Sequence, residues 1–385
     1  MAKTALILSG GGARAAYQVG VLAGIRDLLP NPARNPFPIL CGTSAGAINA
    51  TVLAAFADNF GEGVTYLSRI WRNFHAGQVY YADPLMVAKT GLRWLGALLL
   101  GWAVERYPKS LLDNTPLREL LARYLDFSRI DRAIENGALY ALSVTCSGYL
   151  SGDSVTFFQG GAGIDPWQRQ RRASSRTRIH IDHLLASSAL PFIFPAVHIN
   201  REYFGDGSMR QQAPISPAIH LGAERIVVIG AGRMHEPPVR RAADAYPSLA
   251  QVAGHALSSI FLDQLANDLE RLQRINRTIA LIPPERRQQE GLNLRAIETF
   301  VIAPSEGLDD LAAEHVDAMP KAVRLLLGGI GGTKHTGGAL ASYLLFERPY
   351  TRRLIDLGYR DAMASREGLQ AFLAGEPPQS APSMR

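Results

Sequence analysis

The sequence predicts a three-layer α/β/α fold built on a mostly parallel central sheet. Two observations carry this: the first 57 residues alternate strand and helix, and their strands are continuous apolar runs of the kind buried on both faces. Thr4 to Leu8 reads as the first strand, and Ser9-Gly-Gly-Gly-Ala-Arg14 as the loop after it. Ala15 to Leu29 reads as a helix, with Val19, Leu22, Ile25 and Leu29 along its apolar face. Four prolines between Pro30 and Pro38 end that helix. Ile39, Leu40 and Cys41 form the end of a second strand, which runs through Gly42-Thr-Ser-Ala-Gly46 into an alanine-rich helix from Ala47 to Ala57.

Composition bounds the function classes. At 385 residues, 47% hydrophobic and 19% charged, the chain can bury a sizeable core as one domain or two. Its net charge of +6 suits an anionic partner such as phospholipid, and equally a basic surface kept for solubility. Nucleic acid is disfavoured, because no reader motif or interleaved aromatic pattern accompanies the arginines. Cys41 and Cys146 make no disulfide framework and agree with a reducing compartment. Met1-Ala-Lys-Thr runs straight into the first strand, which is too short for a secretory h-region. These readings predict a cytoplasmic protein, with peripheral contact at the inner membrane face as an open extension.

Residues 58–135 are helical in pattern, with Val64–Phe74 amphipathic and Thr115-Pro116 opening a helix after Asp113. Pro84–Val104 is strongly apolar; Trp94 and Trp102 frame it, so it reads either as a core or lid helix or as an interfacial contact spanning 85–104. It falls short of the ~20 apolar residues of a membrane span. Ala138–Ser147 and Val155–Phe158 read as strands. Arg169, Arg171, Arg172, Arg176 and Arg178 form a dense basic run, read as an exposed loop that is either a solvated face or a site for acidic headgroups. Ile181–Pro195 is a helix stopped by proline, and Val197–Phe204 a hairpin leading into Gly205-Asp206-Gly207-Ser208.

Three of these stretches carry chemistry. Strand, Gly-x-Ser-x-Gly, helix is the context of a nucleophile elbow, with Ser44 at its apex and glycine at 42 and 46 because the turn leaves no room for a Cβ. The loop around Gly10, Gly11 and Gly12 is not a dinucleotide fingerprint, since Ala15 stands where a third glycine is needed and no acidic residue ends the second strand. Nor is it a Walker loop, which needs Gly-Lys-Ser/Thr. It reads better as an oxyanion hole, where each backbone N–H stabilises a tetrahedral intermediate by ~3 kcal/mol, with a plain tight turn as the alternative. Asp206, between two glycines at a strand end, is either a turn residue or a catalytic carboxylate.

Together, Ser9-Gly-Gly-Gly-Ala-Arg14, Gly42-Thr-Ser-Ala-Gly46, the Ala186–Pro195 stretch and Asp206-Gly207 resemble the patatin-like phospholipase family in order and spacing. The resemblance implies a patatin-like variant of the α/β-hydrolase fold with a Ser–Asp dyad. Ser44 would be the nucleophile, Asp206 the base, Gly11 and Gly12 the oxyanion donors, and Arg14 a support for the loop or the phosphate. Gly10, Ala13, Ala15, Gly42, Thr43, Ala45, Gly46, Gly207 and Ser208 complete the supporting motifs. Two positions depart from the family's pattern: Ala15 stands where glycine is common, and Ser208 replaces glycine or alanine.

A Ser–Asp–His triad is the competing layout, because His220, His235 and His255 all follow Asp206. The expected activity is lipid acyl hydrolysis of the phospholipase A or lysophospholipase type through an acyl-enzyme. Acyl transfer on the same residues and a silent membrane-binding regulator are the alternatives. No His, Cys or carboxylate cluster has metal-ligand spacing, so neither metal nor cofactor is expected. The catalytic core is expected over 4–220, an α/β extension continuing it over 221–374, and a disordered tail over 375–385. In the extension, Ser248–Asn276 reads as one helix, Arg225–Ile229, Thr278–Ile282 and Glu298–Ile302 as strands, and Glu314–Leu327 and Leu340–Phe346 as helices.

Overall fold

The computed structural model describes residues 3–81, 83, 110–233, 248–260, 264–291, 294–329 and 338–375. The 85–104 segment, His235 and residues 376–385 of the expected tail lie outside the described residues.

The chain opens β1 (Thr4–Leu8), α1 (Ala16–Leu28), β2 (Ile39–Thr43) and α2 (Ala45–Ala55). Helices α3 (Phe60–Arg72), α4 (Thr115–Tyr124) and α5 (Ser128–Glu135) precede β3 (Ala141–Gly148) and β4 (Ser154–Gly160). A hairpin of β5 (Gln168–Arg169) and β6 (Arg172–Arg176) leads to α6 (Ile181–Ser187), and a second hairpin pairs β7 (Val197–Ile199) with β8 (Glu202–Asp206). Then come α7 (Ser216–His220), β9 (Arg225–Ile229), α8 (Leu249–Ser258), α9 (Gln264–Ala280), α10 (Pro284–Gln289) and β10 (Glu298–Ile302). Helices α11 (Leu308–His315), α12 (Lys321–Gly329), α13 (Gly338–Leu344), α14 (Arg348–Ala364) and α15 (Arg366–Ala374) close the described chain.

The sheet runs β10-β9-β1-β2-β3-β4-β6-β5, with the first five strands mutually parallel. All five residues of β1, β2 and β9 are buried, as expected of strands covered on both faces. One face packs Leu6, Leu8 and Leu40 against α1, α2, α3 and the C-terminal helices; the other packs Ile7, Ile39 and Val228 against α7 and α9. The result is a mixed α/β fold with a mostly parallel central sheet between helical layers, as the alternation predicted.

Two strands of that sheet, β9 and β10, come from beyond residue 220, with β9 paired along the whole of β1. The helix that covers α1 comes from still further along. In α14, Gly358 lies where a Cβ would run into the Tyr17 carbonyl, and Gly20 of α1 approaches the Ile355 carbonyl in the same way. These paired small residues let the two helix backbones touch.

Several expectations change. The arginine run is an edge hairpin rather than a loop: Arg176 donates to the carbonyls of Gly160, Gly161 and Ile164 and lies over the Phe158 ring, and Arg178 sits 3.6 Å from Asp131. The expected strand Thr278–Ile282 does not form, because Thr278–Ala280 ends α9, whose buried Leu265, Leu269, Leu272 and Ile279 keep helical spacing. A short β-branched apolar run cannot by itself be told from a helix end. Within the helix expected over Ser248–Asn276, α8 and α9 are helical on either side of residues 261–263, which lie outside the described residues; its start is correctly marked by Ser248, whose side chain caps Gln251 N at 3.2 Å. Helix α4 opens at Thr115-Pro116 as expected, with Asp113 accepting from the Thr115 amide at 2.8 Å. Helices α14 and α15 have no counterpart in the sequence reading.

Candidate active site

Register places the principal residues. Thr43 of β2 stands opposite Thr145 of β3, and one residue further along β3, Cys146 stands opposite Asp206 of β8. Strand β8 therefore pairs with the last residues of β3 where β2 has turned away into the elbow. Ser44, one residue past β2, and Asp206, the last residue of β8, consequently meet at the same level of the sheet edge.

Ser44 adopts φ 55° and ψ −132°, a conformation unfavourable for any residue but glycine. The fold holds it there. Its N–H donates to Ser187 Oγ at 2.8 Å, and that hydroxyl donates to the Thr145 carbonyl at 2.6 Å. Thr43 Oγ1 donates to Gln211 Oε1 at 2.8 Å, and Gln211 Nε2 donates to Thr145 Oγ1 at 3.3 Å. Thus β3, α6 and the segment after Asp206 all grip the turn through Thr145. Gly46 lets α2 sit directly on the glycine loop: a Cβ there would overlap the carbonyls of Leu8 and Ser9.

Asp206 is fully buried. Its Oδ1 accepts from the Ser208 amide at 2.9 Å, while Oδ2 has no hydrogen-bond partner among the described residues. Burial pushes its carboxyl up to about 6; the Ser44 hydroxyl and the Ser208 amide and hydroxyl pull the other way without restoring the ordinary value. Ser44 is therefore close enough to act on the carboxyl electrostatically, yet the orphaned Oδ2 is not held in a completed hydrogen bond.

The glycine loop lies alongside. Gly12 has φ 55°, and a Cβ on it would collide with the Tyr343 carbonyl of α13. Gly11 and Gly12 donate their N–H groups to no acceptor among the described residues, as expected just before a helix. The Ser9 carbonyl is fixed by Gln18 Nε2 at 2.7 Å; Gln18 Oε1 in turn accepts from Asn49, and Asn49 from Trp71 Nε1. Arg14 turns away from the site. Its buried guanidinium pairs with Asp309, donates to Ser342 Oγ at 2.8 Å and lies over the Tyr343 ring. Of the two expected roles, its surroundings fit loop support and leave the guanidinium away from any phosphate.

Gly12 and Ser44 open onto a cleft walled by Ile48, Leu67, Trp71, Leu121, Phe194 and Phe346 among other apolar residues. No charged side chain and no histidine lines it among the described residues. His220 stacks on Trp167 in the core of the opposite face, and His255 is exposed on α8. The site thus brings together Ser44, Asp206 and the Gly10–Gly12 loop, and leaves Arg14, His220 and His255 outside. Ser187 and Gln211 escaped the sequence reading. Ser187 lies in the Ala-Ser-Ser run, but nothing in that run says which serine faces the elbow.

A serine in a strained strand–turn–helix, a buried carboxyl and a glycine loop thus meet at the C-terminal edge of the parallel strands of an α/β fold. A family model described as patatin-like phospholipase matches residues 6–219, more than half of the chain. The chain belongs to the patatin-like phospholipase family. It is also 28% identical over 210 residues to a cGAMP-activated phospholipase of Pseudomonas aeruginosa, covering 54% of this chain and 53% of that protein. The chain thus spans about half the length of that curated relative.

Proposed function

We propose that this protein is a serine lipid acyl hydrolase working through a Ser44–Asp206 dyad. The observation that carries the reading is the unpartnered, buried Asp206 Oδ2 beside the Ser44 hydroxyl at the end of an apolar cleft. Asp206 takes the Ser44 proton as Oγ attacks the ester carbonyl, and a carboxyl raised toward 6 is a stronger base than an ordinary aspartate. The free N–H groups of Gly11 and Gly12 stabilise the oxyanion, together lowering the barrier by several kcal/mol. The leaving alcohol takes the proton from Asp206, and the acyl chain stays in the cleft as an ester on Ser44. The uncharged cleft walls suit a fatty acyl chain and place any lipid phosphate outside it. A catalytic core over 4–220 with an α/β extension over 221–374 that continues it belongs to the same proposal, as does cytoplasmic residence with peripheral membrane contact. The exposed arginines of the 169–178 run are candidates for that contact, apart from Arg176, whose guanidinium is spent on the carbonyls of Gly160, Gly161 and Ile164.

Lipid product profiling tests this directly, with wild type, Ser44→Ala and Asp206→Ala run against phospholipid and lysophospholipid. Each assay carries an arm with a cyclic dinucleotide, the activator in the name of the Pseudomonas relative. Free fatty acid should depend on both side chains, and a fluorophosphonate should label Ser44. Equal fatty acid release from wild type and Ser44→Ala would sink the proposal. Labelling without lipid turnover would favour the silent regulator.

A further inference from the structure

Strands β3 and β8 continue outward past the site. Cys146 stands opposite Asp206, Ser147 opposite Gly205 and Gly148 opposite Phe204. One step further, the Tyr149 N–H donates to the Tyr203 carbonyl at 3.0 Å. At about 3.4 Å per residue, this ladder carries the two tyrosines roughly 10 Å beyond the Asp206 backbone. The turn from β3 to β4, with Leu150, lies beyond them, and so does the turn from β7 to β8, with Arg201. Both turns therefore project from the edge at which Ser44 and Asp206 meet.

The side chains on these turns are apolar or amphipathic, and they face solvent. Leu150 is 84% exposed, Tyr203 56% and Tyr149 50%. They sit on fixed backbone. Tyr149 lies across Gly205, where a Cβ would meet its ring, and the His198 ring packs 4.9 Å from that of Tyr203. Glu202 turns its carboxylate inward, Oε1 accepting from the Leu150 and Ser151 amides at 2.7 and 2.6 Å. Two arginines flank the tip. Exposed Arg171, at φ 57° in the β5–β6 turn, donates to the Ser151 carbonyl at 3.4 Å, and its own carbonyl accepts from the Ser154 amide. Arg201, next to Glu202, is exposed as well. The acid at the tip is thus engaged by backbone amides, while the positive charges face outward.

A leucine tip between tyrosines, flanked by arginines, matches the boundary of a bilayer with anionic headgroups. Leucine reaches the acyl layer, tyrosine spans the apolar and wet zones, and arginine meets phosphate. A protein partner fits less well, because three partly exposed side chains offer about 400 Å², against the ~800 Å² a side of a stable protein complex. We propose that the β3–β4 and β7–β8 turns dock this protein on anionic phospholipid membrane, with Leu150 inserted and Arg171 and Arg201 on headgroup phosphates. The proposal rests on the lipid hydrolase reading above and adds to it the surface that presents the Ser44 edge to its substrate.

Vesicle flotation tests it, in a Ser44→Ala background so that lipid turnover does not enter the measurement. Phosphatidylcholine vesicles with and without phosphatidylglycerol are compared. Binding should favour the anionic vesicles and weaken as salt rises. Adding Leu150→Glu should lower it about tenfold, and adding Arg171→Gln with Arg201→Gln about tenfold or more, each at an unchanged urea midpoint. Leu150→Trp should bind at least as tightly as the parent, a result that a folding defect cannot imitate. Parental binding by Leu150→Glu, or equal binding to the two kinds of vesicle, overturns the proposal. So does a parent that stays off vesicles and forms a dimer that Leu150→Glu breaks, which assigns the tips to a second copy. None of these outcomes touches the dyad, which fails instead if Ser44→Ala releases as much fatty acid as wild type.

Discussion

Ser44 carries backbone strain, and Asp206 carries a buried carboxyl; both cost stability, and each has a measurable consequence. Asp206 in the folded chain binds its proton up to about pH 6, whereas the unfolded chain releases it near pH 3.8. Between those values the native state holds more protons, so stability falls as pH rises and the loss is complete above about pH 6. Asp206→Asn cannot ionise and should gain up to about 3 kcal/mol at neutral pH while losing catalysis, the gain fading near pH 4. Urea denaturation at the two pH values checks this, and a variant less stable than wild type at neutral pH contradicts it. Activity has the same origin with the opposite slope: kcat/KM should rise with pH through about 6, as the base must be ionised. A flat profile across that range would assign the base elsewhere. Ser187 acts through Ser44. Ser187→Ala leaves the Ser44 N–H buried without its acceptor, which costs about 1–3 kcal/mol. That should appear as a fall in kcat of about tenfold or more with KM little changed, and Ser187→Thr should rescue part of it.

Among the elements, the contact of α1 with α14 is the most exposed to a single change. At Gly358 a new side chain meets the Tyr17 backbone carbonyl rather than a flexible neighbour. Gly358→Val should therefore cost about 1–3 kcal/mol or more through overpacking, read as a lower urea midpoint with an unchanged m-value. Since α1 begins directly after the glycine loop, the same variant should lower activity through its position in the fold. Helix α14 was also the element least legible beforehand. Its Arg348–Ala364 sequence mixes arginine, tyrosine and glycine, and its burying face is defined by a partner more than three hundred residues earlier.

At the scale of the whole molecule, the segment that the family model matches does not contain the whole sheet. Strand β9 borders β1 and begins after residue 219, and β10 borders β9. Arg14, in the glycine loop, is buried against Asp309 and Ser342 of α11 and α13. A chain ended after residue 220 should therefore fail to fold cooperatively, exposing β1 as an edge and α1 as an apolar face; circular dichroism and urea titration check it. Among the described residues no helix is long and apolar enough to cross a membrane.

The local devices were legible because they are written in adjacent residues. Strand periodicity, the prolines after α1 and the glycines at 42 and 46 follow from backbone sterics, which act over a few positions. The elbow, the glycine loop and Asp206 could all be found that way, and their order along the chain pointed to a family. Their meeting at one place depended on register, with Thr43 opposite Thr145 and Cys146 opposite Asp206. The grip of Ser187 and Gln211 on the turn, the inward turn of Arg14 and the burial that raises Asp206 depended on packing between distant segments. Such contacts are decided by which surfaces meet, and no short stretch of sequence specifies its own partner.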